Sequence, residues 1–153
     1  MLSVSSPEIT QGAAPAPSAV LSRSAPYGIA LLRVTLGVLL FAHGALKVFV
    51  FTLPGTAGFF ESVGFPGFSA YLVAPAEVLG GLALMLGFQT RLVALLSLPI
   101  LLGALSVHLG NGWLFSAPKG GWEFPAFLVV AMLAQVLLGS GAMSLDACRQ
   151  RAK

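Results

Sequence analysis

Six ionisable side chains sit inside, or at the mouths of, otherwise apolar stretches: Arg33, His43, Lys47, Glu77, His108 and Glu123. At the centre of a bilayer each such group costs on the order of 2.5–3.5 kcal/mol, so each needs a partner, a wet cavity or a short reach to water. At 100° per residue, Arg33, His43 and Lys47 fall within an arc of about 80°, one stripe of one helix. Glu77 lies two residues after Pro75 and one turn before Gly80-Gly81, a setting for tight packing around a polar pocket. Glu77 is expected about 14 Å, and His43 about 10 Å, below the outer ends of their helices, so the two can meet. Lys47 is one turn further out. Arg33, about 20 Å from that end of the stripe, is expected to snorkel inward toward lipid phosphates, Gln135 or Asp146. His108 closes one span and Glu123 opens the next, which allows a contact across the outer mouth. His43, Lys47, Glu77, His108 and Glu123 are therefore expected to form one polar cluster in the outer half. Two His, two Glu and one Lys can bind an anionic or quinone-like headgroup, relay protons or hold a metal. They can equally do no more than cross-link helices.

Other chemistries find less support. No His-x-x-x-His or Glu-x-x-His spacing puts two ligands on one helical turn, so nothing fixes a metal shell, and no metal site is expected. The single cysteine, Cys148, excludes a disulfide framework, and it has no His nearby in sequence. Gly-x-Ser-x-Gly, Walker and Gly-x-Gly-x-x-Gly patterns are absent from the chain. No residue pattern fixes a cofactor, and a quinone is the candidate that the polar cluster suggests.

These residues need elements to hold them. The chain has 153 residues, 57% hydrophobic and 8% charged, against about 25% charged in soluble domains, so a water-soluble fold is excluded. The bilayer is the solvent that fits. Apolar stretches at 27–50, 68–88, 91–109 and 123–140 are long enough to match a hydrocarbon slab of roughly 30 Å, and backbone satisfaction in lipid requires helix. The expected architecture is all-α: an antiparallel bundle of four transmembrane helices over 27–146. A flexible tail at 1–26 lacks the basic region of a secretory signal, and a basic tail follows at 147–153. Gly87 is suited to end one helix and Thr90 to cap the next. The Phe-rich loop 51–66 and the Trp-bearing loop 110–122 are expected at one interface, the former as an anchor rather than a cofactor box. Gly37 and Gly44, with Gly80 and Gly81, would let helices approach closely. Arg23, Arg91, Arg149, Arg151 and Lys153 outnumber Lys47 and Lys119 on the loop side, which puts both termini, Arg33's end of the stripe and Arg91 on the cytoplasmic side. The net charge of +3 forms no dense stripe, so nucleic acid is not an expected partner.

The stretches His43-Gly44-x-x-Lys47, GFFESVGFP, PAEVLGGLALMLGFQTRLVAL and GGWEFP, with a Ser-Leu-Asp close, resemble the DoxX family of small bacterial membrane proteins. The resemblance covers about 27–146 and is most specific from Glu77 to Arg91. It implies a four-helix integral protein of the bacterial inner membrane. It also implies association with redox systems: a terminal quinol oxidase, thiosulfate:quinone oxidation, or oxidative and thiol-stress complexes. Arg33, His43, Lys47, Glu77 and Arg91 occupy the family's recurrent polar positions, none of them an established catalytic residue.

Three functions compete. The first is a redox-system component whose polar pocket docks a quinone or a membrane or periplasmic oxidoreductase, and which is not an enzyme as an isolated chain. The second is a small permeation protein, which at four helices per chain would need homo-oligomers. The third is an assembly factor whose charged pairs only specify packing.

Overall fold

The computed structural model describes residues 17–151, with side chains from 23 to 149. Helix α1 (Pro17–Ala45) runs into a π-helical turn, Leu46–Val50, closed by the Phe51 N–H donating to the Leu46 carbonyl at 2.9 Å. Five α-helices follow among the described residues, α2 (Leu53–Ser62), α3 (Ala70–Leu86), α4 (Thr90–His108), α5 (Glu123–Leu138) and α6 (Leu145–Arg151), with short 3-10 turns at Gly67–Ser69 and Leu109–Asn111. Among the described residues there is no strand.

The boundaries differ from expectation in two places. Helix α1 begins at Pro17, so the stretch 17–26 of the expected tail is helical, while 1–16 lies outside the described residues. Stretch 147–151 of the expected C-terminal tail is likewise helical, in α6, and 152–153 lie outside the described residues. Stretches Arg23–Val50, Gly67–Leu86 and Thr90–Asn111 are long and apolar enough to cross a membrane, with mean hydropathies of 1.9, 1.6 and 2.2. Helix α5, at 16 residues, is about 24 Å long and falls short of a slab of roughly 30 Å. Among the described residues there are thus three helices of spanning length, not clearly the four expected.

The long helices pack in sequence around a ring: α1 on α3, α3 on α4, α4 on α5, and α5 back on α1. Apolar side chains fill the middle, among them Leu36, Leu40, Leu84, Leu98, Leu128 and Met132. Three of the four expected packing glycines make the α1–α3 crossing. A Cβ on Gly37 would lie 2.8 Å from the Gly81 carbonyl oxygen, one on Gly44 2.8 Å from the Val78 nitrogen, and one on Gly81 2.5 Å from the Phe41 nitrogen. Backbone meets backbone there, which no side chain permits. Gly80 differs: a Cβ would meet side chains alone, Leu40 at 3.3 Å, with Val93 and Ser97 at ordinary contact distances of 3.6 and 3.8 Å.

At one end of the ring the chain locks itself. Helix α3 closes at Gly87, whose φ of +67° favours glycine, with the Phe88 and Gly87 N–H groups donating to the Ala83 and Leu84 carbonyls. Thr90 opens α4, as expected, but its side chain is not the cap. Asp146 of α6 reaches over instead: its two carboxylate oxygens accept from the Gln89 and Thr90 backbone N–H groups, each at 2.9 Å. The Ala142 N–H donates to the Pro26 carbonyl and the Asp146 N–H to the Gly87 carbonyl, so the third turn of α1, the α3–α4 turn and the segment after α5 all meet here.

Arg33 corrects the expectation most sharply. Its side chain does not snorkel to lipid phosphates, Gln135 or Asp146; the residue is 1% exposed. All five of its N–H groups are donated to backbone carbonyls. Nε bonds Ser140, Nη1 bonds Leu84 and Met85, and Nη2 bonds Ala142 and Met143, at 2.7–3.3 Å. The guanidinium thus satisfies the last turn of α3 and the α5–α6 connection together, and its charge suits the negative end of the α3 dipole.

Candidate functional site

At the other end, the π-helical turn, α2 and the 110–122 loop gather around the polar stripe. Lys47 lies in the π-helical turn, and such widened turns often occur at functional positions. The buried Thr56 hydroxyl of α2 donates to the Thr52 carbonyl at 2.9 Å and lies 3.2 Å from the Lys47 carbonyl, which ties α2 to that turn. Glu77 points from the middle of α3 with only 6% of its side chain exposed. Lys47 Nζ donates to both of its oxygens, Oε1 at 2.9 Å and Oε2 at 2.7 Å. Glu77's direct partner is therefore Lys47 rather than His43. The extra reach of a lysine stem covers the turn of helix that the depth argument put between them.

His43 Nδ1 donates to the Leu39 carbonyl of its own helix at 2.7 Å, and His108 Nδ1 donates to the Gly120 carbonyl at 2.9 Å. Two cavities flank the ion pair. One, of about 200 Å³, opens toward α4 and α5 between Leu36, Leu101, Phe115 and Phe124. The other, of about 310 Å³, lies under α2, between Phe59, Phe60, Phe65 and Pro99. His43, Lys47, Glu77 and His108 line both.

Four of the five residues expected in the cluster are thus brought together, and Glu123 is not. Its Oε1 accepts from the Phe115 backbone N–H at 2.6 Å, and its own N–H donates to the Trp113 carbonyl at 3.2 Å. Glu123 closes the 110–122 loop onto the start of α5, beside an edge-on Trp113–Trp122 pair at 4.5 Å, and makes no contact with His108. A loop leaves backbone N–H groups without regular partners, and the carboxylate found one of these first.

The sequence reading missed the aromatic wall. Phe59, Phe60 and Phe65 were expected as an interfacial anchor, yet they border the second cavity, with Phe60 and Phe65 ring centroids 6.3 Å apart. The available signal was their position, 12 to 18 residues past Lys47 on a connecting segment too short to lie far from it. Arg91 stays at the opposite end, where its Nη2 approaches the Leu137 carbonyl at 3.4 Å. A broad depression of about 760 Å³ there, bordered by Arg91, Asp146 and Arg149, opens to the surface and shares no residue with the ion-pair cavities. Among the described residues no three His, Cys, Asp or Glu side chains converge as metal ligands would.

An all-helical membrane chain with a bidentate Lys–Glu pair between two apolar cavities defines the class. The DoxX family profile matches residues 28–109, and the chain belongs to that family. CatD of Bacillus subtilis, provisionally named an oxidoreductase, is 36% identical over 128 residues, covering 82% of this chain and 90% of CatD. An uncharacterised Haemophilus influenzae protein is 32% identical over 129 residues, 82% of this chain and 93% of its own. The inner membrane protein YqjF of Escherichia coli is 31% identical over 121 residues, 78% of this chain and 89% of YqjF. No solved structure is significantly similar to the chain.

Proposed function

We propose that the protein is a four-span inner-membrane component of a redox or oxidative-stress system, and that its ion-pair pocket docks a quinone ring or the quinone-bearing face of a partner oxidoreductase. The observation that carries this reading is the Lys47–Glu77 pair, held between two ring-sized apolar cavities that also receive His43 and His108. Ligand sites are mostly apolar clefts with a few convergent polar groups, at volumes of roughly 300–1,000 Å³. Cavities of about 200 and 310 Å³ sharing one polar wall suit a single aromatic ring with short substituents. A bound quinone would supply two-electron carrier chemistry. The chain's own residues would grip its oxygens and keep water from the ring, Lys47 donating and Phe60 and Phe65 stacking. The provisional oxidoreductase name of CatD supports a redox setting.

Helix α5 counts as the fourth crossing in this reading. It starts beside the 110–122 loop and ends near the α3–α4 turn, so it traverses the ring from one end to the other despite its length. A thinner local bilayer or the flanking Trp122 would absorb the shortfall. Four crossings return the chain to its starting side, and the Lys/Arg bias makes that side the cytoplasm.

The test is purification into native nanodiscs followed by extraction of bound lipid. Quinone is expected to co-purify above its abundance in the membrane, and to be lost in a Lys47→Met/Glu77→Gln double variant that still folds. Absence of quinone, together with no oxidoreductase captured by crosslinking through the outer loops, would overturn the reading. The double variant also separates it from a packing role, because removing both charges together regains most of the stability that either single change loses: normal abundance with lost quinone supports docking, and normal abundance with quinone retained supports packing.

A further inference from the structure

The polar side chains of the pocket are rich in acceptors and poor in donors. A carbonyl oxygen only accepts, so the contacts to Leu39 and Gly120 place a proton on Nδ1 of both His43 and His108. In the neutral ring the other nitrogen, Nε2, then carries a lone pair. Among the described residues no protein group bonds either Nε2, and both imidazoles line both cavities. The Ser69 hydroxyl, on the wall of the second cavity, gives its proton to the Pro66 carbonyl at 2.5 Å and has only lone pairs left. Lys47 directs two of its three N–H groups to Glu77, which leaves one. A ligand therefore meets lone pairs at His43, His108, Ser69 and Glu77, and one side-chain donor at Lys47.

A quinone brings two carbonyl oxygens and no donor. Against this wall one oxygen can accept from Lys47, while the other faces lone pairs. A hydroquinone of the same outline brings two O–H groups, each able to donate to an imidazole Nε2, and its oxygens still accept from Lys47. Sites built to receive a ligand hydroxyl discriminate strongly against analogues that lack it, because the site's own polar groups are then left unpaired.

We infer that the pocket selects the reduced, dihydroxy form of its aromatic ligand, a hydroquinone held by donation to Nε2 of His43 or His108, over the corresponding quinone. The inference rests on the pocket being a quinone-ring site and adds the redox state that it recognises. No electron transfer within this chain is involved: the protein holds the reduced carrier.

Equilibrium dialysis of the full chain in nanodiscs under anaerobic conditions tests it, using trimethylhydroquinone, its quinone and its dimethyl ether at neutral pH. The hydroquinone is expected to bind at least about tenfold more tightly than the quinone. The ether, which keeps the outline and loses both O–H groups, should bind as weakly as the quinone. A His43→Phe/His108→Phe variant should lose the preference, its hydroquinone-to-quinone affinity ratio falling from about tenfold or more to about one. Equal or tighter quinone binding overturns the inference and leaves the docking site standing, as does an ether that binds like the hydroquinone. If none of the three binds, the docking reading fails and the redox preference falls with it. Should the double variant not fold, the ether comparison on the unaltered chain decides.

Discussion

Replacing Arg33 by Met tests the lock at the α3–α4 end of the fold. The substitution keeps an unbranched apolar stem and removes five N–H donors, each now bonded to a backbone carbonyl at 2.7–3.3 Å. Hydrogen bonds to a charged group contribute about 1.5–3 kcal/mol each, so five would suggest a loss of about 7 kcal/mol or more. Burying a guanidinium with no carboxylate in contact opposes this by several kcal/mol. The carbonyls of Leu84 and Met85 would keep partial satisfaction within the last turn of α3, whereas those of Ser140, Ala142 and Met143 would have none from a helix. The net expectation is about 3–5 kcal/mol of destabilisation. For a chain of this size, that is a fall in thermal midpoint of roughly 6–20 °C.

Thermal unfolding in detergent, followed by tryptophan fluorescence and by retention of a monodisperse peak, measures it. Arg33→Lys should fall between wild type and Arg33→Met, because three donors on a flexible stem cannot reach both the end of α3 and the 140–143 segment. An Arg33→Met midpoint within 2 °C of wild type, on a scale where roughly 2–4 °C marks 1 kcal/mol, would refute the reasoning. So would full rescue by Lys, the result expected of an arginine that merely reached for lipid phosphate.

Three further outcomes follow from the geometry. Gly44→Ala and Gly81→Ala should each cost about 1–3 kcal/mol by forcing α1 from α3, while Gly80→Ala should be tolerated because only the Leu40 side chain need shift; chemical unfolding that ranks all three alike would contradict the crossing. Breaking the buried pair one side at a time, Lys47→Met or Glu77→Gln, should cost about 3–5 kcal/mol, with the double variant regaining most of it; a double-mutant cycle without coupling would count against a direct pair. For Asp146, burial alone would push the carboxyl up, but the Thr90 and Gln89 N–H groups and Arg149 outweigh it, so its pKa lies below the usual carboxylate range. Its contribution to stability is then complete above about pH 3.9 and is lost as pH falls through the lower native value. Asp146→Asn should therefore lower stability at pH 7 by an amount that closes in strong acid, and a gap constant with pH would rule the cap out.

The amino-acid order by itself determined the solvent and the element type. A chain 57% hydrophobic and 8% charged has no other place for its apolar surface than lipid, and lipid demands helix. It also determined which groups would need partners, because intramembrane Arg33, Lys47 and Glu77 are costly wherever the chain folds. The Gly37, Gly44 and Gly81 crossing was legible for the same reason: a missing Cβ is a property of the residue.

Pairing was not legible, because it depends on reach and competition in three dimensions. Helix depth favoured His43 for Glu77, and the π-helical turn with a long lysine stem delivered Lys47. Arg33 and Asp146 looked like mates, yet each found unpaired backbone groups at helix ends, one taking carbonyls and the other N–H groups. Glu123 met a loop N–H, that of Phe115, ahead of α5. Backbone donors and acceptors left over at helix ends and in loops compete for each charge, and only the packed structure decides which of them an ionic group meets first.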